Sequence, residues 1–156
     1  MAIVETRYVV PGWGSGELWE RDGVLLEHEF RFAQVSDAAS DSRLDGLIAR
    51  FHAFLRGEDV SFEDVAVDLE WMTPFQRALV ETLRSVPRGE VVSYGELAAL
   101  TGRPGAARAA GALCAGNRYA FVVPCHRVVG ANGIGGYGSA GIEVKRRLLA
   151  LEGVHL

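Results

Sequence analysis

Ser93-Tyr94-Gly95-Glu96-Leu97-Ala98-Ala99-Leu100-Thr101-Gly102 is followed, after Arg103-Pro104, by Gly105-Ala106-Ala107-Arg108-Ala109-Ala110-Gly111-Ala112-Leu113-Cys114. Ser93 with Glu96 three residues on is a capping box, each side chain satisfying a backbone N–H that the first helical turn leaves open. Tyr94, Leu97, Ala98 and Leu100 carry the apolar spacing of a short helix that stops at Gly102. The second segment predicts another helix, starting near Gly105, running through Cys114 and ending at Gly116-Asn117. Two helices joined by a short glycine-containing turn make a helix-turn-helix. Nearly every side chain of the second helix is small, with Arg108 the long exception in its middle. Such a helix either packs closely on a neighbour or lies against a nucleic-acid backbone and inserts its arginine.

Upstream, Thr73 reads as an N-cap with Pro74 at the first helical position, and Phe75, Leu79, Leu83 and Val86 share a face up to Pro87. Downstream, Phe121-Val122-Val123-Pro124-Cys125-His126-Arg127-Val128-Val129 sets a cysteine and a histidine between two strand-like apolar segments, the first broken by Pro124. A thiol is a useful nucleophile only as thiolate, and a neighbouring base or a positive environment raises the thiolate fraction. The pattern therefore points to covalent chemistry on sulfur. Val128 to Gly141 reads as a glycine-rich loop and Ile142 to Glu152 as a closing helix.

The first 35 residues alternate apolar and polar positions over Ile3 to Val10, Glu17 to Glu20 and Val24 to Phe32, which predicts a small antiparallel sheet with a turn at Arg21-Asp22-Gly23. Gly12-Trp13-Gly14-Ser15-Gly16 reads as a flexible connector. Helical spacing runs from Asp41 to Leu55 and ends at Gly57, and Val65 to Leu69 is expected to return to the sheet. The expected fold class is α+β: a small N-terminal lobe (1–72) with antiparallel sheet and helix, packed on a mostly helical C-terminal lobe (73–156) that contains the helix-turn-helix.

With 49% apolar residues among 156, the chain can build one ordinary core or two small packed lobes. No apolar run approaches the roughly 20 residues that cross a bilayer, and the start reads as a strand rather than a signal peptide. Two cysteines, Cys114 and Cys125, are too few for a disulfide scaffold; the pair could bridge in an oxidising compartment, but a reactive thiol in the cytoplasm is expected. The first 72 residues carry six Arg and fifteen Asp or Glu, the rest ten Lys or Arg and five Asp or Glu; −9 and +5 combine to the overall −4. Either the second half meets a polyanion, or two faces are simply solvated differently.

With these elements in this order, the chain resembles the O6-alkylguanine-DNA alkyltransferases. The resemblance covers Thr73 to Gly153 and rests on Thr73-Pro74-Phe75-Gln76, Ser93-Tyr94-Gly95-Glu96-Leu97-Ala98, Ala107-Arg108-Ala109, Gly116-Asn117, Pro124-Cys125-His126-Arg127-Val128, Gly136-Tyr137, and Lys145 to Glu152. It implies irreversible, single-turnover repair of alkylated double-stranded DNA: minor-groove binding through the helix-turn-helix, rotation of the damaged guanine out of the stack, and transfer of its O6-alkyl group to cysteine. O4-alkylthymine is a second possible substrate. Flipping is needed because a thiolate cannot reach the alkyl carbon inside the duplex.

By that resemblance Cys125 is the acceptor, His126 its base through a water, Glu152 the group that orients the imidazole, and Asn117 the tie between recognition helix and active-site loop. Asn117 would serve equally as an ordinary helix C-cap. Arg108, flanked by Ala107 and Ala109, fills the gap left by the extruded base, and Tyr94 lies near the flipped nucleotide. Tyr137, Gly138, Ser139 and Val128 line or rim the guanine pocket, with Lys145 near it; a lysine on a terminal helix is otherwise solvated. Arg127 is expected to pair with a carboxylate or carbonyl. No cofactor and no metal is expected, since the first lobe has only His28 and His52 as imidazoles and no cysteine; a monomer is expected.

Four positions depart from the family pattern. Lys145 lies eight residues beyond Tyr137 rather than seven, implying one extra residue in the pocket loop. Arg118 stands where proline is frequent, Glu81 where tryptophan is frequent, and Cys114 where cysteine is unexpected. Two other readings compete: a lesion-binding, alkyltransferase-like protein without transfer, which Cys125 disfavours, and a cysteine hydrolase, for which adjacent Cys and His give poor contact geometry.

Overall fold

The computed structural model describes residues 2–33 and 45–156. Its elements in chain order are β1 (Val4–Val10), β2 (Gly14–Arg21), β3 (Val24–Phe32), α1 (Asp45–Leu55), α2 (Pro74–Arg84), β4 (Val92–Ser93), α3 (Tyr94–Leu100), α4 (Ala107–Ala115), a 3-10 turn (Cys125–Arg127), β5 (Val128–Val129) and α5 (Ile142–Leu151). They fall into two compact units, Met1–Asp68 with Arg118–Ala120, and Leu69–Asn117 with Phe121–Leu156. The α+β class agrees with the expectation.

In the first unit β1, β2 and β3 form an antiparallel meander. Asp22 and Gly23 both take positive φ (55° and 80°), the geometry of the two-residue turn whose twist suits a hairpin. The expected connector at Gly12 to Gly16 is instead ordered. Gly14 to Gly16 open β2, and Trp13 is buried with its indole N–H donating to Leu55 O at 2.9 Å. Glycine is needed at 16 because a Cβ there would meet the Tyr8 ring at 2.3 Å. Val65 to Leu69 reaches the sheet only through one parallel bridge, Val67 with Leu25, and forms no strand. The expected helix start at Asp41 lies outside the described residues; the described part begins at Asp45.

His28 sits at the centre of this unit, stacked on Phe51 with ring centroids 4.0 Å apart. Its Nδ1 lies 2.7 Å from Ala120 O, which can only accept, so Nδ1 carries the proton and Nε2 accepts from Tyr8 Oη at 2.7 Å. Burial pulls the imidazole down to about 4, against the Ala120 hydrogen bond, and keeps it neutral. Backbone hydrogen bonds from His28 N to Arg118 O and from Ala120 N to His28 O draw in the later segment, and Tyr119 Oη donates to Asp68 O. A cavity of about 530 Å³ in this unit is lined by Val4, Leu25, Leu47, Arg50 and Asp64 and holds none of the expected site residues.

In the second unit both expected N-caps form. Thr73 Oγ1 accepts from Gln76 N while the Gln76 side chain returns to Thr73 N, and Ser93 and Glu96 repeat the exchange. Leu79, Val80 and Leu83 of α2, Leu97 and Ala98 of α3, and Ala110 and Leu113 of α4 are buried. Leu100, expected on the buried face, is 67% exposed; it lies off the stripe formed by Tyr94, Leu97 and Ala98.

Two expectations around the cysteine change. Phe121 to Pro124 is a turn rather than a strand: Phe121 has φ 70°, and Val123 O accepts from both Cys125 N (2.8 Å) and Asn117 Nδ2 (3.0 Å), which bends the chain away from any sheet partner. Val128 and Val129, the second strand-like segment and also the start of the expected loop, form a strand that pairs in parallel with Val92 and Ser93. This two-rung ladder fixes the start of α3 beside the end of the cysteine turn.

Candidate active site

The 3-10 turn Cys125–Arg127 is closed by Arg127 N donating to Pro124 O at 2.9 Å. Cys125 and His126 are buried, and Glu152, the C-cap residue of α5, is brought against His126. His126 Nε2 lies 2.9 Å from Glu152 Oε2. Arg127 grips the same carboxylate as a fork, Nε to Oε1 at 2.9 Å and Nη2 to Oε2 at 2.8 Å, while its Nη1 donates to Val86 O at 2.8 Å. A carboxylate at a helix C-terminus opposes the helix dipole, and the guanidinium offsets that.

Burial works to raise the Glu152 carboxyl, but the hydrogen bonds and charges of His126 and Arg127 hold it at about 2. Glu152 is therefore an anion that accepts from Nε2–H. Burial lowers the His126 imidazole, opposed by the bond and charge of Glu152 and reinforced by the charges of Arg127 and Lys145. The ring is neutral, and with Nε2 protonated its basic atom is Nδ1, which is buried. The Cys125 thiol is pushed up by its hydrogen bond with Cys114, by burial and by the Cys114 charge, with Lys145 acting in the opposite direction. At rest it holds its proton, so use of this sulfur as a nucleophile requires a base.

Asn117 follows the helix cap, which is Gly116, and uses its side chain instead to hold Val123 O. Lys145 is fully buried, not solvated: Nζ donates to Val128 O and to Gly136 O (2.9 Å) and stands 5.7 Å from the Tyr94 ring centroid. It clamps the glycine loop to β5 from below. Tyr94 opens α3 and leans on that loop, and Gly135 is required there, since its φ is +75° and a Cβ would come within 2.9 Å of Gly130 N and 3.3 Å of the Tyr94 ring. Tyr137 is half-buried, and Gly138 and Ser139 are exposed at the loop tip. Val128 is fully buried with its carbonyl taken by Lys145, so it acts through its backbone and not as an open pocket wall. On α4, Arg108 and Ala109 are exposed and Ala107 is half-buried, while Ala110 and Leu113 are buried.

A family model described as the DNA-binding domain of 6-O-methylguanine DNA methyltransferase matches residues 74–154. A methylated-DNA–protein-cysteine methyltransferase of Mycolicibacterium paratuberculosis is 46% identical over 159 aligned positions, covering 98% of this chain and 94% of that protein. The chain belongs to the methylated-DNA–protein-cysteine methyltransferase family. A member from Methanothermobacter thermautotrophicus is 34% identical, covering 90% of this chain and 80% of its own. Among solved structures, Mycobacterium tuberculosis OGT in complex with DNA is similar with a TM-score of 0.79 and 37% identity, covering 95% of this chain and 91% of that one.

The matched span takes in the motifs named above except Thr73, which caps α2 one residue upstream, and runs from α2 through the C-cap of α5. Two participants escaped the sequence reading. No spacing rule places Cys114 against Cys125 in the reduced chain, although the unexpected cysteine at 114 is a signal. Gly135 was lost among neighbouring glycines, because only the packed position of Tyr94 shows which glycine is indispensable.

Proposed function

We propose that this chain repairs O6-alkylguanine in duplex DNA by moving the alkyl group to Cys125 Sγ, once per molecule. The observation that carries the reading is a buried cysteine, Cys125, followed directly in the chain by His126, whose ring is held by the Glu152–Arg127 ion pair, in the unit that also presents Arg108 on α4. His126 Nδ1 takes the thiol proton through a bridging water, and Glu152 stabilises the imidazolium that results. The thiolate attacks the alkyl carbon, the carbon–O6 bond breaks, and its electron pair leaves with guanine, which regains a proton. The product is a thioether, which water does not cleave, so the sulfur is consumed.

α3 and α4 engage the minor groove, and Arg108 enters the stack in place of the flipped base. Tyr94 and Tyr137 hold the guanine, with Gly138 and Ser139 at the rim; O4-alkylthymine fits the same chemistry. The net +5 of the second half suits a polyanion. One chain carries every group the scheme uses, so the monomer is the acting unit, and the cytoplasm keeps its thiols reduced. The relatives' names and the DNA bound to the Mycobacterium tuberculosis protein support this reading.

Intact-mass analysis after incubation with a duplex containing O6-methylguanine tests it. The expected result is one methyl group per molecule, on the peptide bearing Cys125. Binding with no mass gain identifies a lesion-binding protein instead, and repeated product formation per molecule identifies a hydrolase.

A further inference from the structure

Asn117 ties two cysteines to one point of the backbone. Its N–H donates to Cys114 O at 3.3 Å, and its side-chain amide donates to Val123 O at 3.0 Å, the carbonyl that also accepts from Cys125 N. The last turn of α4 and the cysteine turn are thereby held together, and the Cys114 and Cys125 thiols come within hydrogen-bonding reach of each other. Neither is in a disulfide. Cys114 is half-buried, while Cys125 is only 3% exposed. The ammonium of Lys145 acts on both sulfurs and favours negative charge at the pair.

We propose that Cys114 and Cys125 are an oxidation site for hydroperoxides, whose product is an intramolecular disulfide that reversibly masks the acceptor sulfur; its biological meaning rests on Cys125 being that acceptor. Cys114 reacts first, as the more accessible sulfur and the one whose thiolate receives a hydrogen bond from Cys125, which lowers its pKa against the effect of burial and with help from Lys145. Its thiolate attacks one peroxide oxygen, the O–O bond breaks, and hydroxide leaves to be protonated to water. The Cys125 sulfur then attacks the sulfenic sulfur of Cys114, the S–O bond breaks, and the departing hydroxide takes the Cys125 proton as a second water. Two thiols lose two electrons and one peroxide gains them. An external dithiol reverses the bond by exchange through a mixed disulfide. While it lasts, Cys125 cannot advance to the irreversible sulfinic acid.

The test uses the full chain, without DNA, treated with hydrogen peroxide. The expected product is lighter by the mass of two hydrogens, yields a crosslinked peptide pair carrying Cys114 and Cys125, and returns to the starting mass with dithiothreitol. Oxidised protein should lose at least about tenfold in methyl-transfer capacity and recover it on reduction. In Cys114→Ala the crosslink should vanish, and peroxide should add oxygen to Cys125 beyond the reach of dithiothreitol. Oxygen addition at Cys125 of the unsubstituted chain with no crosslink overturns the proposal, as does reversible inactivation that persists in Cys114→Ala. Because the crosslink is read by mass alone, its failure leaves alkyl transfer untouched, and failure of alkyl transfer leaves the crosslink result intact.

Discussion

His126 Nε2 and Glu152 Oε2 stand 2.9 Å apart with both side chains shut away from solvent, and Arg127 holds the same carboxylate from its other flank. The carboxylate thus has two partners with different duties. Arg127 helps to keep it ionised, and in the proposed scheme His126 draws on that charge when it takes a proton.

Substituting Glu152 separates these duties. Glu152→Gln retains an acceptor for Nε2–H but removes the charge, and is expected to slow single-turnover methyl transfer by about 10- to 100-fold. Glu152→Ala also strands the Arg127 guanidinium, which is 12% exposed, and should cost about 3 kcal/mol in denaturant unfolding. An unchanged transfer rate in Glu152→Gln would remove the carboxylate from the scheme.

Stability should fall with acid in two windows. A folded-state pKa below the ordinary value means that the native state binds fewer protons, so stability is present above the ordinary pKa and lost as pH falls towards the folded one. For His28 that window runs from 6.5 down to about 4, and for Glu152 from 4.5 down to about 2. Each is worth about 3 kcal/mol at full extent. His126, also lowered, adds in the same direction below 6.5. His28→Gln removes the titration and should flatten the upper window in urea melts taken at successive pH values; an unaltered slope would assign the loss to another group.

Arg108 is exposed on α4, and in the proposed scheme it fills the gap left by the extruded base and takes no part in the chemistry at sulfur. Arg108→Ala should therefore slow repair of a duplex about tenfold or more, because the extruded base leaves an unfilled gap, yet barely alter transfer from free O6-benzylguanine. Equal losses with both substrates would discard the gap-filling role.

Gly135→Ala introduces a Cβ at φ +75° and 2.9 Å from a backbone nitrogen, which cannot move aside as a flexible side chain could. The expected cost exceeds about 1 kcal/mol, and transfer from duplex and free base should drop together as the loop bearing Tyr137 shifts. Gly136→Ala, where an added Cβ meets nothing within 4 Å, is the control and should unfold near the unsubstituted midpoint. Similar midpoints for both variants would show that the loop tolerates displacement at Gly135.

Local rules made much of this legible. Thr73 with Gln76 and Ser93 with Glu96 announce two helix starts through their own side chains, and the Asp22-Gly23 turn announces a hairpin. What stayed hidden depends on partners far along the chain. Phe121 to Val123 is apolar enough for a strand, but Asn117 captures Val123 O and turns it aside. Gly14 to Gly16 look like slack until Tyr8 is seen lying across Gly16. Lys145 resembles any solvated helix lysine until two carbonyls, from β5 and from the glycine loop, are found to receive it. Arg127 and Glu152 lie 25 residues apart, and no spacing rule joins them.

The backbone exchange between His28 and Arg118–Ala120 has a consequence for how this polypeptide can be inherited and cut. Three residues encoded late complete hydrogen bonds of a unit encoded early. A gene split after Asp68 would produce an upstream fragment lacking part of its own β-structure, and a downstream fragment with a bare, sticky tether. Truncation and fission are thus penalised at the level of folding, before any loss of repair is felt.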